Sequence, residues 1–229
     1  VELTTEVSPL NSHRLPAPDF RGVALDAAAR GWRVFPVKPH STVPAVGEWR
    51  KKATTDPEAI NRAWDHHPGY NIGMVPCSSG LIVLDLVPAR RGEHPPLTHR
   101  APGVHDGADV LAVLTEQAGA RLPTETFTVV SPSGGIQMYF THPADGACPP
   151  ASTGTDSGLG WHIAIRSADT YVLLPGSTTP DGPYTLAHDA PPAPWPAYLA
   201  QRLASGPTSQ SCATVTAIPT AQQDPLPVP

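Results

Sequence analysis

Apolar and polar residues alternate along the middle of this chain in short segments of two distinct periods. Residues 20–30 repeat their apolar positions at helical spacing, with Asp19 placed as an N-cap and Gly31 as a stop. Residues 33–37 predict a strand that leads into a loop over 38–48. Thr55-Asp56-Pro57-Glu58 has the form of a capping box, with Thr and Glu correctly separated and Pro in the first turn. The helix it opens runs through Ile60 and Trp64 toward His67. Segments 71–75 and 81–87 read as strands joined by a tight turn over 76–80.

Further along, residues 88–106 have no period and predict an exposed loop. A helix over 108–118 stops at Gly119. Segments 126–130 and 136–141 predict a hairpin around Ser131-Pro132-Ser133-Gly134-Gly135, followed by a loop over 144–160. Strands over 161–166 and 171–174, an edge piece over 183–186 and a closing helix over 195–203 complete the series. The class that follows is α+β, a mixed sheet flanked by two or three helices.

Composition changes this picture mainly at the ends. A chain of 229 residues holds one good core, built as one or two lobes. Its 30 prolines concentrate at the termini and in a few loops. Residues 1–18 and 205–229 are Pro-, Ser-, Thr- and Ala-rich and predict poorly ordered tails around a domain over 19–204. The C-terminal stretch reads as a bland tail ahead of a docking peptide. No apolar run is long enough for a membrane span, and no start resembles a signal peptide. Cys77, Cys148 and Cys212 are far apart and odd in number, which argues against a disulfide framework and a zinc knuckle. The expected location is cytoplasmic, without a membrane partner.

The net charge of −5 hides an asymmetry: residues 1–100 carry 12 Lys/Arg against 10 Asp/Glu, the rest 3 against 10. Only Arg50-Lys51-Lys52 and Arg90-Arg91 offer a basic patch, so strong constitutive binding of duplex DNA is not expected. His94, His99, His105, Asp106 and Asp109 fit no metal template and read as a solvated loop.

Several landmarks recur in order: Gly31-Trp32-Arg33-Val34-Phe35-Pro36, Ala53-Thr54-Thr55-Asp56-Pro57-Glu58, Asn71-Ile72-Gly73 and Gly80-Leu81-Ile82-Val83-Leu84-Asp85. Ser133-Gly134-Gly135-Ile136-Gln137-Met138-Tyr139-Phe140 and Tyr171-Val172-Leu173-Leu174-Pro175 follow. Over about residues 20–204 this series resembles the N-terminal domain of the bifunctional DNA primase/polymerases (prim-pol), a branch of the archaeo-eukaryotic primase superfamily. The resemblance implies a mixed-sheet prim-pol fold with an RRM-like catalytic lobe. It also implies an Asp-x-Asp pair, a histidine and a third aspartate. The acids would hold two Mg²⁺ or Mn²⁺ ions that clamp a triphosphate and activate a primer 3′-hydroxyl.

Here Asp85 matches the first acid, Val87 stands at the second, Gln137 at the histidine and Ala164 at the third acid. Arg166 matches the basic residue that follows, while the paired glycines expected next are replaced within 168–170. Strand periodicity puts 83, 85 and 87 on one face. It turns Ile136, Met138 and Phe140 to the core, with Gln137 and Tyr139 opposite. It likewise separates Trp161, Ile163 and Ile165 from His162, Ala164 and Arg166.

The resemblance thus implies a catalytic and metal role for Asp85 alone, and nucleotide contacts from Ser133, Gly134, Gly135, Gln137 and Arg166. Each has a plainer alternative. Asp85 suits a strand-end cap, and Ser133-Gly134-Gly135 suits a simple hairpin turn. Arg166 suits an ion pair with Asp85 or Asp169, and His162 an ordinary strand histidine.

The functional expectation is a primase/polymerase-like domain without catalysis, kept as a nucleotide- or nucleic-acid-responsive binding module. The alternatives are a rebuilt metal site using His162, Asp106 or Asp109, with polymerase or nucleotide-hydrolase activity, and a protein-interaction scaffold. Expected partners are a nucleotide, single-stranded or primed DNA, and a protein such as a helicase or regulator. Mg²⁺ or Mn²⁺ enters only if activity is retained.

Overall fold

Asp19 caps the first helix as its position predicts, its carboxylate accepting from the Gly22 N–H at 2.8 Å. In the computed structural model, which describes residues 19–97, 102–143, 148–152 and 158–205, this helix, α1, covers Phe20–Ala29. Gly31 ends it at φ +83°, a left-handed conformation that suits a residue without Cβ. Strand β1 (Val34–Val37) and the one-turn helix α2 (Trp49–Lys52) follow. Helix α3 (Pro57–His66) starts differently from expectation: its N-cap is Asp56, accepting from Glu58 N–H, with Pro57 in the first turn. Thr55 therefore does not cap it, because an aspartate immediately before the proline is already in reach of the free amides.

Strands β2 (Asn71–Met74) and β3 (Leu81–Leu86) are joined by a 3₁₀ turn at Cys77–Ser79, yet they enter different sheets. Helix α4 (Gly107–Gln117) is capped by Asp106. Its first residue must be glycine, since a Cβ there would collide with the carbonyl oxygen of His162 and lie 3.1 Å from Val87 N. Strands β4 (Thr128–Val130) and β5 (Ile136–Thr141) make the predicted hairpin. β6 (Ile163–Arg166), β7 (Val172–Leu173), β8 (Thr178–Thr179), β9 (Gly182–Pro183), β10 (Thr185–His188), β11 (Ala193–Pro194) and α5 (Ala197–Ala204) complete the chain.

The larger sheet runs β10-β4-β5-β3-β6, with β11 added in parallel to β5. A smaller antiparallel sheet runs β1-β2-β7. β3 is the keel: all six of its residues are buried, because both faces of the larger sheet are covered. Ile82, Leu84, Met138, Phe140, Ile163 and Ile165 pack with α4, α5 and Trp161 and Trp195 on one face. Leu81, Val83, Val129 and Tyr139 pack on the other with α1, α3, Trp32 and Trp64. Gln137 and Tyr139 turn away from Met138 and Phe140 as expected, and both are buried, Tyr139 in a second core.

One further expectation changes. Cys77 and Cys148 are joined as a disulfide with Cα atoms 5.9 Å apart, although they are 71 residues distant in sequence. Spacing alone does not reveal such a pair, since the turn after β2 and the segment after β5 meet only in the folded chain. Helix α5 ends at Ala204 with Ser205 as its C-cap, and 1–18 and 206–229 lie outside the described residues. Of the loop expected over 144–160, residues 144–147 and 153–157 also lie outside them, as does His99. No helix among the described residues is long and apolar enough to cross a membrane.

Candidate functional site

Three neighbouring strands bring the key positions into one row. In the β3–β5 register Asp85 is opposite Gln137, and in the β3–β6 register it is opposite Ala164. Antiparallel partners share a face, so Gln137, Asp85 and Ala164 stand side by side across the sheet. Val87, two residues beyond Asp85, lines the same opening, which holds about 490 Å³ and includes Ser131, Ser133, Gly135 and Tyr184. A second opening of about 440 Å³ shares Asp85, Gln137, Arg166 and Tyr184, and is walled by Trp49 and Tyr171. Together they form a cleft lined by residues of the larger sheet and, at Val172 and Leu173, of the smaller one.

Asp85 and Arg166 dominate its electrostatics. Arg166 Nε and one Nη donate to the same carboxylate oxygen, Oδ2, at 3.1 and 3.0 Å. The carboxylate is turned inward at 11% exposure, while the guanidinium is 30% exposed. Burial raises the Asp85 pKa above its usual value, and the charge and hydrogen bonds of Arg166 pull in the opposite direction. Burial likewise pushes up the Tyr184 hydroxyl, with Asp85 adding to the effect. The plainer reading of Arg166, an ion pair with Asp85, is the observed one; Asp169 instead pairs with Arg50 at 3.1 Å.

Gln137 is 5% exposed, and its Oε1 has no hydrogen-bond partner among the described residues. A buried acceptor without a donor is uncommon, and this one borders the cleft. The Ser131–Gly135 turn is tied by its own backbone: Ser131 N–H donates to Gly135 O and Gly134 N–H to Ser131 O. Gly134, at φ +84°, spends its amide inside the turn, so a ligand would meet the Ser131 and Ser133 hydroxyls, 3.1 Å apart, before it met that N–H.

After Arg166 the chain lacks the expected glycines, yet Asp169 adopts the left-handed conformation, φ +56°. Arg50 holds it there through the carboxylate and by donating to its backbone carbonyl at 2.8 Å. The same guanidinium lies 4.5 Å from the centre of the Trp49 ring, which stacks on Phe35. This aromatic wall of Phe35, Trp49 and Tyr171 was not singled out from sequence. Its signal there is only three aromatic residues spread over more than a hundred positions.

His162 does not join Asp85. It sits at φ +57° just before β6, and its Nε2 lies 3.0 Å from Glu93 Oε1. Asp106 caps α4, and Asp109 accepts from the His105 N–H at 2.8 Å. Neither lines the Asp85 cleft. Among the described residues no group of three or more His, Cys, Asp or Glu is gathered as a metal site.

Asp85, Gln137 and Arg166 thus face one open cleft on the larger sheet of an α+β domain. Residues 24–198 match the family model for the bifunctional DNA primase/polymerase N-terminal domain, and the chain belongs to that family. At the family level it is primase/polymerase-like, tied to DNA replication and to nucleotide or nucleic-acid interaction. A search of curated proteins returns no match.

Proposed function

We propose that this member of the family does not polymerise nucleotides and serves as a nucleotide- or nucleic-acid-responsive binding module. The observation that carries it is the commitment of Asp85, the single carboxylate of its row, to Arg166. A two-metal clamp needs several hard oxygen ligands. Val87 and Ala164 supply none, and the Gln137 amide cannot carry a proton. What the cleft retains is recognition chemistry: a guanidinium, serine hydroxyls and an unpaired amide oxygen.

Duplex DNA is a poor fit for this surface. Within the basic run, Arg50 is paired with Asp169 and Lys51 with Glu48, so a free nucleotide or the end of a single or primed strand is the better ligand. In this reading residues 19–204 act as the binding domain. A protein partner, a helicase or a regulator, is expected alongside the nucleotide or strand end. The test is primer extension on a primed template with Mg²⁺ or Mn²⁺, using protein free of contaminating polymerase. No incorporation is expected, and template-dependent extension would sink the proposal.

A further inference from the structure

The two metal ions that the family implies do not fit this donor set. Asp85 offers one carboxylate, and one of its oxygens already accepts two charged N–H groups. Its neighbours across the sheet are an amide and a methyl group, and Val87 follows on its own strand. Resting on the nucleotide reading above, we propose that the Arg166 guanidinium is itself the cation of the cleft, so that a nucleotide phosphate binds without a divalent metal.

A guanidinium has five N–H donors. Two of those on Arg166 go to Asp85, and its guanidinium makes no other hydrogen bond or ion pair among the described residues, which leaves three. The pair is also asymmetric. The carboxylate is the more buried partner and the guanidinium the more exposed one, so the face offered to the cleft is cationic. Asp85 thus acts as a positioning residue: it accepts both N–H groups on one oxygen and holds the planar fork still. A fixed fork suits a phosphate, which takes paired N–H···O bonds in one plane.

Gln137 adds the second half of the ligand. Gln137 lines the same cleft, and its Oε1 is buried, has no hydrogen-bond partner among the described residues, and accepts only. An oxygen of that kind suits a hydroxyl or amino donor, which a ribose or a base supplies and inorganic phosphate at neutral pH does not supply as well. Phosphate on Arg166 and a nucleoside donor on Gln137 together describe a nucleotide. Asp181, which also borders the cleft, limits how much additional negative charge it accepts.

The experiment is calorimetric titration of the full chain with ATP and dATP, once in EDTA and once in Mn²⁺, with Arg166→Lys and Arg166→Ala alongside. Circular dichroism melts establish that each variant is folded. Affinity in EDTA is expected within about twofold of that in Mn²⁺. Arg166→Lys is expected to weaken binding about tenfold and Arg166→Ala more, since charge-assisted bonds are lost. Binding seen only with Mn²⁺ overturns this inference and leaves the nucleotide reading standing. No binding under either condition overturns both. Unchanged affinity in both folded variants removes Arg166 from the site and overturns the inference as well.

Discussion

Asp85 and Arg166 lie on neighbouring antiparallel strands, and two guanidinium nitrogens of Arg166 converge on a single oxygen of Asp85. Removing one partner leaves the other uncompensated in a poorly solvated place. The carboxylate is the more deeply buried, so Arg166→Ala is the costlier change, at about 3 kcal/mol. Adding Asp85→Asn to it is expected to recover part of that loss. A double-mutant cycle by urea denaturation should give a coupling above about 1 kcal/mol. Additive effects would show that the pair is not made in solution.

The pH dependence of that carboxylate has a definite sign. Burial raises its pKa in the folded chain above 3.8, so the folded state holds the Asp85 proton more tightly than the unfolded one. Its contribution is fully present below 3.8 and is lost as pH rises through the raised folded value. Wild type should therefore lose stability relative to Asp85→Asn over that window. Parallel stability profiles for the two proteins from acid to neutral pH would contradict it.

Ala164 is directly opposite Asp85 and 2% exposed. Ala164→Asp places a second carboxylate against the first, and like charges facing across a sheet repel. In EDTA the variant should be less stable by about 1–3 kcal/mol. Millimolar Mn²⁺ should raise its melting temperature by binding only the folded state, while wild type stays unmoved. An equal Mn²⁺ response in both would mean that the natural cleft already holds the ion.

Cys77 and Cys148 tie the turn after β2 to the segment beyond β5. Closing a loop of 71 residues restricts the unfolded chain, an effect worth about 4 kcal/mol at most. Denaturation midpoints with and without reductant should differ accordingly, and Cys77→Ser should abolish the difference. Thiol counting under denaturing, non-reducing conditions should find one free cysteine. Three would mean that the bond does not form.

Much of the fold was legible because its elements announce themselves locally. Asp19 and Gly31 bound α1, Gly119 follows α4, and the Ser131–Gly135 turn sits between two runs of apolar residues. The α3 cap is not legible in detail, since both Thr55 and Asp56 are capping residues and only the backbone decides which side chain reaches Glu58 N–H. The aromatic wall over the cleft was not legible at all. Phe35, Trp49 and Tyr171 meet because β1, α2 and the start of β7 converge, and no periodic pattern links them.

The candidate site divides along the same line. From sequence by itself one could determine which side chains share a strand face, because the pleat has a period of two whatever surrounds it. That places Asp85 with Val87, Gln137 with Tyr139, and Ala164 with Arg166. The tertiary structure alone decided that β5 and β6 flank β3 in a register that aligns Gln137, Asp85 and Ala164. It also decided that Arg166 turns to Asp85 and not Asp169, that His162 goes to Glu93, and that two distant cysteines join. Those choices depend on distances between segments far apart in the chain, and local patterning carries no information about such distances.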